Sequence, residues 1–283
     1  MEKNLKKYFA LFTLPTLIAF SISFLIPFIM GIYLSFCEFN TIDITTWVGF
    51  KNFGKAFEEG SNFLSAILFT SKFAVVSVIT VNVLAFVLAL LLTRGIAGTN
   101  LFRTVFFMPN LIGGIVLGYV FQLVINGVLI KAVGVDISFA TKYGFWGLIL
   151  LMNWQLAGYM MIIYIAGIQN IPEELVEAAK IDGASPFQLL FRITIPLVMP
   201  AITISTFVTL TNSFKMFDQN LSLTAGAPGE TTTMMALDIY RTMYSGTPGY
   251  GGVAQAKGVI FFLIVGCLSF ASLYLTRNKE VEQ

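Results

Sequence analysis

Residue types that usually carry covalent or redox chemistry are nearly missing from this sequence. It has no histidine and two cysteines, Cys37 and Cys267, each in or beside an apolar run. Zinc coordination, a histidine-based triad and a disulfide framework all lack material. Both cysteines read as small buried hydrophobes. The run Gly49-Phe50-Lys51-Asn52-Phe53-Gly54-Lys55-Ala56 comes near a phosphate-binding loop. It ends on Ala56 where magnesium coordination needs Ser or Thr, and no buried strand precedes it, so ATP binding is not expected there.

Hydrogen bonding is the chemistry that remains. Asn153, Trp154, Gln155 and Tyr159 stand together in one apolar run, and Thr209, Asn212, Ser213 and Met216 in another. The second set is spaced i, i+3, i+4 and i+7, which is one face of a helix. Uncharged amides, hydroxyls and aromatic faces of this kind either hold a neutral, hydroxyl-rich ligand or bind helices to one another. Gln122 and Asn126 are weaker candidates of the same type.

A second cluster is charged. Ile171–Pro196 reads IPEELVEAAKIDGASPFQLLFRITIP and is the most acidic loop. Pro172 suits the first position of a short helix, placing Glu173 and Glu174 at the positive end of its dipole. Gly183 fits a left-handed stop. Ser185-Pro186-Phe187-Gln188 reads as a capping box that starts a second helix, with Pro196 marking the start of the next apolar run. A helix lying on a membrane surface is normally rich in Lys and Arg on its polar face. This one sets Lys180 against Glu173, Glu174, Glu177 and Asp182, while Ala178 and Ala179 leave a flat, small-sided surface. Docking into another protein is the better reading.

The elements that must position these groups follow from composition. Of 283 residues, 57% are hydrophobic and 11% charged, with a mean hydropathy of +0.82. A soluble fold of this size could not hide so much apolar surface, whereas lipid makes it sensible. The net charge of +2 points to no nucleic acid. Six stretches without Asp, Glu, Lys or Arg are at least 19 residues long: Tyr8–Cys37, Phe73–Thr93, Thr104–Ile130, Tyr143–Pro172, Ile193–Phe214 and Gly258–Thr276. Backbone groups in lipid must bond within their own segment, and these runs do not alternate as barrel strands would. The expected fold is therefore all-α: one transmembrane domain over 1–283 with about six spans, roughly 8–37, 73–93, 104–130, 143–170, 193–216 and 256–276. The acidic loop 171–196 joins spans four and five. Lys3, Lys6 and Lys7 precede an apolar run too long for a signal peptide, so the first helix is expected to be retained.

Charge alone barely orients the chain. Placing both termini inside assigns nine basic residues to the inner segments and eight to the outer ones. The inner segments are shorter, and Arg94–Arg103 carries two arginines and no acid, so the balance leans to termini inside. Gly114-x-x-x-Gly118 is read as chance spacing in a chain with 24 glycines.

A resemblance then sharpens the reading. Glu177-Ala178-Ala179, Gly183, Ile193 and Ile195-Pro196 resemble the EAA motif, E-A-A-x3-G-x9-I-x-L-P, of binding-protein-dependent ABC importer permeases. Ile195 stands where Leu is commoner. WVGFKNFGKAF (Trp47–Phe57), FRTVFFMPNLIGGIV (Phe102–Val116) and FDQNLSLTAGAPGETTT (Phe217–Thr233) resemble segments of the carbohydrate-uptake branch, nearest in type to the first permease of the maltose-importer pair. The R-x-F-x3-G-like tail of the second permease type is not seen after Thr276.

That resemblance implies a type I importer permease in a bacterial or archaeal cytoplasmic membrane, with both termini cytoplasmic. Glu177, Ala178, Ala179, Asp182 and Gly183 would form a coupling helix docked on a separate ATPase. Tyr159, Thr209, Asn212, Ser213 and Met216 fall at positions matching substrate contacts of the maltose-type pore, with several residue types changed. Implied partners are a second homologous permease, two ATP-binding subunits, an extracytoplasmic solute-binding protein, a carbohydrate and lipid. The chain itself would hold no cofactor and catalyse no reaction, since ATP and Mg would bind the ATPases. The segment Lys215–Lys257 is expected to be an exterior loop, re-entrant or in contact with the binding protein. The alternative is a self-sufficient secondary sugar carrier. Carriers coupled to protons or sodium usually need ionisable groups inside the membrane, and the candidates Lys72, Lys215 and Asp218 are placed at span edges.

Overall fold

The computed structural model describes residues 13–41 and 44–277; the N-terminal lysines and the expected start of the first span lie outside them. Helix α1 (Thr13–Ser35) is followed by an antiparallel hairpin, β1 (Cys37–Thr41) and β2 (Ile44–Trp47), and a short helix α2 (Lys51–Lys55). Then come α3 (Phe63–Leu92), α4 (Thr99–Phe107), α5 (Gly114–Val133) and α6 (Thr141–Gln169). The acidic loop holds α7 (Glu173–Ile181) and α8 (Pro186–Leu197). The chain ends with α9 (Met199–Phe214), α10 (Asp218–Leu223), α11 (Met235–Met243) and α12 (Tyr250–Arg277). Among the described residues, five helices are long and apolar enough to cross a membrane by themselves: α1, α3, α5, α6 and α12. The bent pair α8 and α9 supplies a sixth.

Several helices outrun the charge-free stretches. Helix α3 starts at Phe63, so Lys72 lies within it, with its Nζ 5.0 Å from the centre of the Phe145 ring. Helix α12 starts at Tyr250 and encloses Lys257, which is buried, donates to Thr242 Oγ1 at 2.8 Å and lies 5.2 Å from the Phe63 ring centre. A charge-free stretch stops short of where each of these helices starts. Each lysine has an aromatic face beside its ammonium group, which offsets part of the lost hydration. The third expected span, 104–130, is also divided. Helix α4 ends at Phe107, a 3-10 turn covers Met108–Leu111, and extended backbone at Ile112 and Gly113 precedes α5.

The chain forms two compact units. The first combines the described part of 1–63 with Ile239–Phe262. Its hairpin is fixed by Asn52, fully buried, whose Nδ2 donates to the carbonyls of Ser35 (3.0 Å) and Cys37 (2.8 Å). The start of α12 lies so close that a Cβ on Gly252 would sit 2.0 Å from the Cys37 carbonyl oxygen. Only glycine permits that approach.

The second unit spans Leu64–Asp238 and the described part of 263–283. Its core is built on α6, with Leu148, Leu151, Met160, Met161 and Tyr164 fully or almost fully buried. Polar pairs join the helices within it. Asn153 Nδ2 donates to Thr80 Oγ1 (2.9 Å), and Tyr164 Oη donates to Asn82 Oδ1 (2.6 Å). In lipid such bonds supply the specificity that apolar contact alone lacks. At Gly158 a Cβ would fall 1.8 Å from the Phe106 carbonyl oxygen, so α4 rests backbone to backbone on α6.

Candidate functional site

The acidic loop builds itself largely from local chemistry. Glu173 and Glu174 occupy the first turn of α7 and Lys180 the last, matching the helix dipole at both ends. Pro172 is the N-cap, one position earlier than the sequence suggested. Gly183 has φ +76°, and its N–H donates to the Lys180 carbonyl (3.1 Å) while that of Ala184 donates to the Ala179 carbonyl (2.9 Å). These two bonds are the Schellman termination, which needs a left-handed residue at the position Gly183 holds. The capping box is present as well: Gln188 N–H donates to Ser185 Oγ (3.3 Å), and Ser185 N–H to Gln188 Oε1 (2.7 Å).

Helix α8 contains a π turn at Leu190–Thr194, includes Pro196 and ends at Leu197; α9 then leaves at 69°. The bend falls inside the expected fifth span, and the bent pair as a whole reaches from Pro186 to Phe214. Pro200 explains the bend, since it has no N–H for the carbonyl of Pro196 and its ring crowds that group.

Two side chains hold this loop to the core: Ile171 is buried, and Val176 packs half-buried against it. The remaining surface faces out. Glu177, Ala178, Asp182 and Gly183 are exposed and Ala179 is half-buried. Ile181 and Phe187 are 86% and 76% exposed. Large apolar groups on a charged, rigidly capped elbow form a surface shaped for another protein. An open cleft of about 880 Å³ lies beside it, with Arg94 from the end of α3, Gln169 from the end of α6, and Glu177 and Lys180 of α7 on its walls.

The other expected site residues diverge. Thr209, Ser213 and Met216 are buried in the chain, with Ser213 Oγ donating to the Thr209 carbonyl at 2.8 Å. The Thr209 hydroxyl is buried without a hydrogen-bond partner. Asn212 is exposed and donates from Nδ2 to the Val208 carbonyl (2.9 Å). Tyr159 is half-buried, its ring edge-on to Phe107 at 6.2 Å. Gln122 and Asn126 are engaged in structure: Gln122 Nε2 donates to the Leu223 carbonyl (3.1 Å), and Asn126 Nδ2 meets the Asp136 carboxylate while its Oδ1 accepts from the Ile137 N–H.

The structure adds a polar junction that spacing did not reveal. Gln219 Nε2 donates to Gln155 Oε1 (2.8 Å), and Gln155 Nε2 points at the Ile112 carbonyl (3.4 Å) in the interruption before α5. Gln219 belongs to α10, which doubles back onto α5. A Cβ on Gly114 would lie 2.7 Å from Asp218 Cβ, and one on Gly118 1.8 Å from Ser222 Oγ. Gly114-x-x-x-Gly118 is thus a true close-packing motif, and its partner is α10 of the same chain.

Residues 82–280 match the family described as binding-protein-dependent transport system inner membrane component. The chain belongs to that family. It is a multi-pass permease of ABC importers, and the permease has no catalytic role of its own. A probable starch degradation products transport system permease, AmyD of Thermoanaerobacterium thermosulfurigenes, is 47% identical over 97% of this chain and 96% of its own length. The multiple sugar-binding transport system permease MsmF of Streptococcus mutans is 29% identical over 99% of each. A permease chain in the crystal structure of a bacterial ABC transporter that imports the acidic polysaccharide alginate shares the fold, with a TM-score of 0.80, 23% identity and 98% of each chain covered.

Proposed function

We propose that this permease carries a saccharide, handed over by an extracytoplasmic solute-binding protein, into the cytosol of a bacterium or archaeon. In this reading it pairs with a second homologous permease and with two ATP-binding subunits that bind ATP and Mg. Both termini and the α7–α8 elbow face the cytosol. The observation that carries the proposal is the elbow itself: a locally capped helix with Glu177, Asp182, Ile181 and Phe187 exposed on its surface. Glu177 would meet a basic group in a cleft of the ATPase, where a partly desolvated charge pair fixes register. Closure of the ATPases would then move the helix bundle as a body.

Support for a sugar comes from the relatives, two of which are named for starch products and for multiple sugars. The chemistry agrees, because uncharged amides are available at Asn212, Gln155 and Gln219 and a phenol ring at Tyr159. Of the residues expected at the cargo site, Tyr159 and Asn212 are the accessible ones, so cargo contact is assigned first to them. Thr209, Ser213 and Met216 would shape the wall behind.

Transport measured in proteoliposomes containing the whole complex tests the coupling role. Glu177→Lys and Gly183→Pro are each expected to abolish uptake while the complex still inserts and assembles. Normal ATP-dependent uptake in the two variants would overturn the assignment. For the cargo site, Tyr159→Ala combined with Asn212→Ala is expected to cut uptake. Unchanged stimulation of the ATPase by loaded binding protein would refute it.

A further inference from the structure

Five aromatic rings gather where α1 ends. Tyr33 lies in its last turn and Phe36 just beyond it; Trp47 closes β2, and Phe50 and Phe53 flank the start of α2. Trp47 stacks on Phe36 (centroids 5.4 Å apart, 18° between planes) and touches Tyr33 (5.8 Å). Phe36 also meets Phe50 edge-on (5.3 Å) and Phe53 (5.2 Å). Tyr33, Trp47 and Phe50 are 53%, 63% and 76% exposed. The backbone beneath them is held by Asn52 and by buried Cys37 and Phe39. These rings are therefore fixed outward.

Their level relative to the bilayer follows from α1. Its 23 described residues already cover about 34 Å at 1.5 Å per residue, at least the roughly 30 Å of hydrocarbon. The last turn of a spanning helix of that length reaches the headgroup boundary. The cluster also continues an apolar surface that runs along α1 through the exposed side chains of Ile22, Ile26, Ile29 and Met30. Interleaved with the last rings are Lys51 and Lys55, 3.7 and 3.9 Å from Glu38 Oε2, and the Lys51 side chain is mostly exposed. Aromatic rings with lysines beside them are the groups that settle at a membrane interface.

We infer that the hairpin and α2 are an interfacial anchor: Trp47 and Phe50 lie in the headgroup layer of the bilayer, and Lys51 reaches its phosphates. The occupant of this face is lipid, rather than the solute-binding protein or the second permease. The inference needs only that α1 spans the membrane and is independent of the cargo.

A nitroxide label read by EPR decides it. The label is placed at Trp47→Cys and, separately, at Phe50→Cys, in an otherwise cysteine-free complex reconstituted in vesicles of phosphatidylcholine and phosphatidylglycerol. Both labels are expected to be several-fold more accessible to oxygen than to a water-soluble nickel chelate. A label at Met30→Cys is expected to show a larger excess of oxygen, being deeper. Equal or greater access to nickel at both positions would place the face in water and overturn the inference. Labels shielded from both reagents would mean that a protein covers the face, which overturns it equally. Phe50 is the more exposed ring, so its variant keeps the test valid if Trp47→Cys fails to assemble.

Discussion

The two segments that flank α9 are both loops between spans, yet they are built on opposite principles. The elbow 171–197 stands out from the core and holds its shape through contacts between near neighbours: a dipole-matched first turn, a Schellman stop at Gly183 and a capping box at Ser185. The segment 217–238 is drawn into the core and is held by distant contacts. Asn220, fully buried, donates to Thr224 Oγ1 (3.0 Å) and the Thr232 carbonyl (2.8 Å) and accepts from the Met234 N–H (2.9 Å). Met235 N–H donates to Thr70 Oγ1 (3.0 Å), and Thr224 and Thr232 crowd the flank of Gly144. The 29-residue helix α6 separates the two. Its Gly144 end meets the buried segment and its Gln169 end the elbow, about 40 Å apart at 1.5 Å per residue. The contrast teaches a division of labour: a part that must be gripped by another chain is folded locally and left exposed, and a part that must keep its place within the bundle is fixed from several sides.

Substitutions can break that contrast. The largest effect is expected at the core contact that positions the interrupted helix. Gly158→Ala would push a methyl into the Phe106 carbonyl, and overpacking against backbone costs about 3 kcal/mol. A markedly lower unfolding midpoint in detergent checks it, and an unchanged midpoint would show that α4 can move aside. Asn220→Ala comes next. It leaves the Met234 N–H and its other partners without Asn220, costing about 2 kcal/mol. The exposed turn at Glu230 is then expected to be cut faster by a glutamate-specific protease.

The elbow is expected to behave in reverse. Gly183→Ala strains a left-handed position by about 1 kcal/mol, and Ser185→Ala removes a cap worth about the same. Hydrogen exchange is expected to quicken at Gly183, Ala184 and Gln188 while the global midpoint stays put, because the elbow opens by itself. A fall in the global midpoint would mean that the two segments are less different than described. Asn212→Ala is expected to change stability least, within about 0.5 kcal/mol, since the residue is exposed and bonds only its own helix. Its reduced uptake would then be a direct effect on cargo.

Much of this was legible in the residues. The six apolar stretches anticipated six spans, and the elbow's stop and capping box appeared where the glycine, serine and glutamine had put them, with Pro172 displaced by one position. These are signals among neighbours, decided within a turn or two of helix. The misreadings also have physical causes. Ending a stretch at its first charge left out Lys72, which lies inside α3 with its ammonium group beside an aromatic ring from elsewhere in the chain. Gly114 and Gly118 looked like chance because the helix that needs their bare faces comes about 100 residues later.

Thr209, Asn212, Ser213 and Met216 were read as one helix face, but α9 ends at Phe214 and leaves Met216 beyond it, and spacing says nothing about what covers a face. Packing buries three of the four and leaves Asn212 exposed. Sequence by itself determined the solvent this chain belongs in, the number of times it can cross that solvent, and the local form of its elbow. Each of those is set by hydropathy, length or hydrogen bonds within a few residues. Tertiary structure alone decided where helices break, which glycines are contact points, and how Gln155 and Gln219 meet. Those outcomes depend on the close approach of segments far apart in the chain, and a linear pattern does not record that distance.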